Sequence, residues 1–222
     1  MRIKKWFLIF AGLLIIISPS CRKENNQLIL VLQPDSINGK DAVFCSIVPD
    51  NNYGASEDIH LYTWTQGGIL NVQRVVIDFD LASIPSGSVI DYALLSLYFN
   101  KTSKYKPALG MPDGSNSYGE NDFFIQRITS PWNQNTVTWN TQPTTTEQNQ
   151  IFVPKITYPE QEFPAIDVTK LVQDMINDKA NSHGFLLKFQ IEQPYKVIFF
   201  ASSDHLDKSV RPKLEVYYKI EK

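Results

Sequence analysis

Cysteine and histidine are scarce in this sequence. Its 222 residues include two cysteines, Cys21 and Cys45, and three histidines. At most one intramolecular disulfide can form, so the fold has to depend on a hydrophobic core, and a chain of this length can bury one. The histidines show no HExxH or comparable metal-binding spacing, and no G-x-S-x-G nucleophile motif is present. We therefore predict no catalytic residues and no enzyme.

An excess of basic residues is also missing. The 21 Lys and Arg are outnumbered by 23 Asp and Glu, for a formal net charge of -2. Three of the basic residues, Arg2, Lys4 and Lys5, fall in the first five positions, so the remainder is more acidic still. Nucleic-acid binding depends on basic surface, and we expect no nucleic-acid partner.

The N-terminus has the composition of a secretory signal. Met1–Lys5 is basic, Trp6–Ile17 is almost wholly apolar, and Ser18-Pro19-Ser20-Cys21 follows. The apolar run is shorter than the ~20 residues that a membrane-spanning helix needs. Small residues before a cysteine resemble a bacterial lipobox. This predicts a signal peptide over residues 1–20, lipid attachment at Cys21, and a bacterial envelope location, at the outer membrane or cell surface, with the lipid as the only membrane contact. The alternative is an ordinary signal peptide with an incidental cysteine.

Alternating apolar and polar residues predict β-strands through most of the chain. The clearest stretch is Gln73–Pro85, and a second, Tyr92–Asn100, follows a turn that contains Pro85 and Gly87. We expect these two strands to pair and to seed an antiparallel sheet. Short strands, polar turns and a single helix indicate an all-β fold, an antiparallel β-sandwich.

The domain boundaries follow from composition. Residues 21–35 are predicted to form a tether, although Leu28–Leu32 within them is apolar enough to form the first strand or to pack along the domain edge. A single domain is predicted over residues 36–222. The one helix is expected at Asp167–Asn177, where apolar residues repeat at helical spacing and Asp167 can act as the N-cap.

Aromatic residues make up 12% of the chain, and many of them lie in polar stretches. A pyranose ring stacks its apolar face on an aromatic side chain, while its hydroxyls need planar polar partners. The candidate rings are Tyr62 with Trp64, Trp132 with Trp139, and Tyr53. Amides that accompany the two tryptophan-containing pairs in the sequence are Gln66, Gln73, Asn133, Asn135 and Asn140. Trp132 and Trp139 could equally be core residues packed under a long loop.

The segment Lys101–Lys106 places three lysines around Tyr105. On an acidic protein, such a loop favours an acidic glycan such as a uronate polymer, with Tyr105 as a further contact. The alternative is a charged loop that is simply solvated. Asp78 and Asp80 share one strand face with Arg74, and we interpret the three as a charge cluster that holds the adjacent turn rather than as a catalytic pair.

Several short segments between about Lys40 and Tyr218 follow the order of a known family. They include Asn52-Tyr53-Gly54, Phe79-Asp80-Leu81, Thr136–Asn140, Asp167-Val168-Thr169 and Arg211-Pro212. By the order and spacing of these segments, the chain resembles the DNRLRE (disaggregatase-related) domain family. The resemblance implies a jelly-roll β-sandwich of the carbohydrate-binding-module type, secreted or at the surface, which binds polysaccharide and in some members calcium. It makes Asp41 the candidate ligand of a structural Ca²⁺ ion.

The sequence thus predicts a non-catalytic polysaccharide-binding module anchored in the bacterial envelope. The alternative is an assembly module that binds a protein partner there. A polysaccharide lyase or hydrolase is the least favoured function, because no acid/base pair is recognisable.

Overall fold

The computed structural model describes residues 26–103, 120–158 and 160–221. The strands in these residues are β1 (Leu28–Leu32), β2 (Lys40–Cys45), β3 (Asp58–Gln66), β4 (Ile69–Asp78), β5 (Val89–Leu97), β6 (Phe123–Ile128), β7 (Thr145–Val153), β8 (Phe163–Asp167), β9 (Phe185–Phe189), β10 (Lys196–Ala201) and β11 (Lys213–Lys219). A helix, α1 (Thr169–Asn177), lies between β8 and β9. Cys21 and Tyr105 lie outside the described residues.

The strands form two antiparallel sheets. The smaller sheet has the order β1-β11-β5-β8, and the larger has the order β10-β3-β4-β9-β6-β7, with β2 also paired to β4. The second half of β4 is flanked by both β2 and β9, whereas its first half pairs with β3. The prediction of an antiparallel β-sandwich with one short helix is confirmed.

The main core lies between the two sheets. Val75 and Ile77 of β4 meet Leu95 and Leu97 of β5, and none of these four side chains exposes more than 2% of its surface. Helix α1 adds its apolar face to the same core with four buried residues, Leu171, Val172, Met175 and Ile176. Burial of these apolar side chains is the main stabilising contribution to a fold in which Cys45 forms no disulfide.

The expected pairing of Gln73–Pro85 with Tyr92–Asn100 is wrong. β4 belongs to the larger sheet, and β5 belongs to the smaller one, where it pairs with β11 and β8. The connection between them crosses from one layer to the other, with Phe79 and Ile84 buried on the way. Both strands turn an apolar face into the same core from opposite sides, so alternation identifies each strand but not its partner.

Two boundaries are informative. Leu28–Leu32, inside the predicted tether, forms β1 and pairs along its whole length with β11. The helix prediction is confirmed, but the N-cap is Val168 and not Asp167, which ends β8. The Asp167 carboxylate still accepts the Thr169 backbone N–H at 2.9 Å. Within the described part of the chain, no helix has the length and hydrophobicity to cross a membrane.

Candidate functional site

Three aromatic side chains lie in contact on the side of β3 that faces away from the inter-sheet core. Ile59 and Leu61 point into the core, and the residues that alternate with them, Tyr62 and Trp64, lie on the opposite side. The Tyr62 and Trp64 rings are nearly parallel, with centroids 6.0 Å apart. Tyr195 places its ring edge against Trp64 at 5.0 Å and 81°. We call Tyr62, Trp64 and Tyr195 the aromatic row.

Tyr195 reaches this position through an uncommon backbone conformation. It lies in the β9–β10 connection with a φ of 71°, in the left-handed region that bulky residues rarely adopt. Its N–H donates to the Thr63 carbonyl at 2.8 Å, and the Thr63 hydroxyl donates to the Gln193 carbonyl at 2.7 Å. Strain held in this way clusters at functional sites. Tyr195 keeps 47% of its surface exposed, so the strained backbone presents a ring to solvent.

The row has a buried support. Tyr62 exposes only 6% of its surface and packs with Phe99, Val197 and Phe199 in a separate apolar cluster, against which the half-buried Trp64 also packs. Burial raises the pKa of Tyr62 to about 12. Tyr62 therefore packs beneath the surface against the inner part of Trp64, and the ring surface available to a ligand belongs mainly to Trp64 and Tyr195.

Amide side chains follow the row on the neighbouring strand. Asn71 of β4 is the register partner of Trp64, and Gln73 is the register partner of Tyr62. The Gln73 amide oxygen is hydrogen-bonded to the His60 ring, and burial lowers the pKa of His60 to about 4, so that this ring is neutral at pH 7. Asn71 is 4% exposed and accepts the Cys45 thiol, so the polar side chains that a polyhydroxylated ligand could meet beside the rings are the partly exposed Gln73 and His60.

Trp132 and Trp139 lie elsewhere. Both are half-buried against a second apolar cluster, which also faces away from the inter-sheet core but lies at β2 and β9 instead of β3 and β10. Its members are Ala42, Phe44, Val76, Ile128, Val137 and Leu186. The Trp132 indole N–H donates to the His183 carbonyl at 2.8 Å, and Trp139 meets Phe44 edge-on at 6.2 Å. These contacts fit the packing role that the sequence left open for the pair.

Cations occupy positions over both indoles. Lys40 Nζ lies 4.3 Å from the Trp132 ring centre and is paired with Asp78 at 2.9 Å. The Arg74 guanidinium carbon lies 4.9 Å from the Trp139 ring centre. Each cation–π contact takes up ring surface that a sugar would otherwise stack on. Trp132 still lines an open hollow of about 390 Å³ with Pro131 and Asn133, so it keeps some accessible surface.

Arg74 does not join the charge cluster that the sequence predicted. Its guanidinium binds the Glu192 carboxylate through two bonds, at 2.7 and 2.8 Å, and donates a third to the Gln142 amide oxygen at 2.8 Å. Asp78 pairs with Lys40, and Asp80 accepts the Ala82 backbone N–H. The predicted charge cluster is wrong, and the sequence pattern could not show this, because Glu192, the partner of Arg74, lies 118 residues away in the chain.

Tyr53 belongs to a loop contact. It is half-buried, forms an isolated bridge with Val43, and packs against the inter-sheet core. The Asn52 side chain beside it donates to the Gln134 and Val137 carbonyls at 2.7 and 2.8 Å. Tyr53 and Trp64 pack on different apolar clusters, so the structure does not bring them together.

Asp41 is buried at the start of β2. It exposes 2% of its surface and accepts the Ser203 backbone N–H at 2.8 Å. Burial raises the pKa of its carboxyl group to about 6. Among the described residues, no three His, Cys, Asp or Glu side chains gather as a metal site. A calcium role for Asp41 stays a prediction.

Comparison with known proteins adds the family. No curated protein matched the chain. Residues 35–218 match the model of carbohydrate-binding module family 96. The matched segment contains both sheets except for the first strand and the last residue of β11, together with every residue of the aromatic row. The narrower DNRLRE assignment is not confirmed by this match. The match covers most of the sequence, and the chain belongs to carbohydrate-binding module family 96.

Proposed function

We propose that the aromatic row is the glycan-binding surface and that the protein binds polysaccharide without cleaving it. The observation that carries the proposal is the Trp64–Tyr195 contact, in which a strained backbone holds an exposed tyrosine against a tryptophan. Two rings at 81° offer a stacking face and an adjoining wall for one sugar unit. The exposed Gln66 at the end of β3 supplies an amide nearby in the chain.

We also propose that the glycan is acidic. The support is the position of Lys101, which is exposed and lies two residues after Phe99, a member of the cluster beneath the aromatic row. Lys101 is therefore close in the chain to the buried support of the row, and the sequence has two more lysines, Lys104 and Lys106, in the next five positions. Cationic side chains at this place would attract a polyanion, and the attraction would weaken as salt increases.

We further propose that Cys21 carries a lipid and holds the module at the bacterial envelope, with Ca²⁺ as a structural ion. The support comes from the sequence alone: the N-terminal signal composition and the family-matching Asp41. Mass spectrometry of the protein purified from bacterial membranes tests the first part, since acylation adds mass to the peptide that begins at Cys21. A peptide with an unmodified Cys21 would contradict it.

Native affinity electrophoresis tests glycan binding. The full chain and its Trp64→Ala variant would be run through gels that contain polygalacturonate, hydroxyethyl cellulose or no polymer, with calcium and with chelator. We expect retardation by polygalacturonate and at least about tenfold weaker retardation for Trp64→Ala, the loss that about 1.4 kcal/mol of stacking produces. Tyr158→Ala is the matched control, because Tyr158 is 55% exposed and lies outside the row.

Three results would contradict the proposal. Equal mobility of the full chain in all gels removes glycan binding, and equal retardation of Trp64→Ala removes the assigned surface. New reducing ends in the polymer after incubation would show cleavage. A protein that co-purifies stoichiometrically from the envelope after mild crosslinking, with no gel retardation, would favour the protein-partner alternative.

A further inference from the structure

The edge strand β1 lacks the features that normally protect a sheet edge. In the described residues β1 pairs with β11 on one side only. Its five residues, Leu28–Leu32, contain no charge, no proline and no glycine. Natural proteins blunt exposed edges with such residues, because unpaired N–H and C=O groups recruit another strand. In the described residues the edge of β1 is therefore open to pairing with a further strand.

The sequence around β1 is nearly palindromic. Residues 27–33 read Gln-Leu-Ile-Leu-Val-Leu-Gln, with Leu30 at the centre. In an antiparallel pair centred on Leu30, Leu28 lies opposite Leu32, Ile29 opposite Val31, and Gln27 opposite Gln33. Every pair then matches in shape and polarity, and no like charges meet. Such self-complementarity fits a second copy of the same strand, and an unrelated partner would not require it.

The face of the smaller sheet next to this edge combines exposed apolar residues with one ion pair, since Val31 lies opposite Glu215, which is paired with Lys213. Ile29 and Val31 expose 58% and 53% of their surfaces. Ile29 is the register partner of Tyr217, and Tyr217 is the register partner of Tyr92, which is 41% exposed and stacks on Tyr217 with ring centres 4.3 Å apart. An aliphatic and aromatic patch thus continues from the edge strand across three strands, and patches of this composition mark interfaces.

We propose that two copies of the chain pair through β1 about a two-fold axis at Leu30, which joins the two smaller sheets into one continuous sheet. A two-fold interface places the same residues on both sides, as the near-palindrome requires. The pairing satisfies the open edge of each β1 and sets Ile29 of each copy beside Val31 of the other. It leaves the aromatic row, which lies on the larger sheet, available in both copies.

Disulfide crosslinking tests the register. Full-length chains with Ile29→Cys and with Val31→Cys would be co-expressed with different tags and oxidised mildly. In the proposed register Ile29 of one copy lies directly opposite Val31 of the other, with Cβ atoms about 4.5 Å apart and closer in a non-hydrogen-bonded pair. The Ile29 residues of the two copies are only diagonal neighbours, about 7–8 Å apart. Disulfides need Cβ atoms within about 4.5 Å. All chains would carry Cys21→Ser, so that the buried Cys45 is the one native thiol left. We expect the mixed pair to crosslink and each single variant to stay uncrosslinked, like the parent chain.

Sedimentation velocity of the full chain in mild detergent tests the dimer itself. We expect a dimer, and at least tenfold weaker association when Ile29 and Val31 are both changed to Lys, since the lysines of the two copies would then face each other. Ile37→Lys, at a position that is 86% exposed and outside the strands, should change nothing. A cooperative thermal unfolding transition would confirm that the double variant folds, because loss of the dimer by itself lowers the midpoint. A monomeric parent chain, a dimer that the lysines leave intact, or crosslinking of Ile29→Cys to itself would each overturn the proposal.

Discussion

The backbone conformation of Tyr195 predicts that glycine is more stabilising than alanine at this position, the reverse of the usual order. Within a helix or strand, a protein is usually more stable with alanine than with glycine by about 0.5–1 kcal/mol, because glycine loses more conformational freedom on folding. At a φ of 71° the order reverses, since an alanine in the left-handed region costs about 1–2 kcal/mol and a glycine costs almost nothing. Tyr195→Gly should therefore be more stable than Tyr195→Ala by about 1 kcal/mol.

The comparison is clean because both variants lose the same ring. Each forfeits the edge-to-face contact with Trp64, about 0.5–1.5 kcal/mol, and the burial of the roughly half of Tyr195 that is covered. Both should also lose glycan affinity to the same extent, at least about tenfold, while Tyr195→Phe should retain it because the ring remains. Affinity and stability therefore respond differently to these substitutions, because the backbone conformation determines the stability difference and the aromatic ring determines glycan binding.

Urea unfolding followed by tryptophan fluorescence measures the stability difference, with the denaturant slope as a check that both variants unfold in the same way. Gel retardation on polygalacturonate measures binding in the same samples. If the alanine variant is as stable as the glycine variant, the backbone is not strained as described. If Tyr195→Phe binds as weakly as Tyr195→Ala, the hydroxyl and not the ring makes the contact.

Two other substitutions probe the supports of the fold. A Cβ on Gly54 would clash with the carbonyl oxygen of Gln134, so Gly54→Ala should destabilise the protein by about 1–3 kcal/mol and lower its thermal midpoint; an unchanged midpoint would show that the loop yields. Burial raises the pKa of Asp41 to about 6, so the folded state binds this proton more tightly than the unfolded chain does. The buried carboxylate therefore lowers the stability of the fold above pH 6, and this loss is relieved as the pH falls toward 4. In chelator, where no Ca²⁺ can bind, Asp41→Asn should therefore gain stability relative to the parent at pH 7, up to about 3 kcal/mol, and the gain should shrink between pH 6 and pH 4 in urea titrations; a difference that does not change with pH would refute the assignment.

Much of the local structure was predictable because side-chain periodicity is a local property. Alternation identified β4 and β5 as strands, and it separated Tyr62 and Trp64 from the core-facing Ile59 and Leu61. Helical spacing located α1 to within two residues of its start. These patterns depend only on which face a residue occupies, and neighbouring residues in the chain determine that face.

What the sequence alone determined, then, is the set of strands, the apolar face of each, and the aromatic residues that leave the core. Tertiary structure decided which strands pair and what each ring touches. It put β4 and β5 in different sheets, placed Tyr195 against Trp64 across 131 positions of sequence, and set Arg74 over Trp139. Periodicity cannot encode such choices, because they depend on which distant surfaces fit together when the two sheets close on a common core.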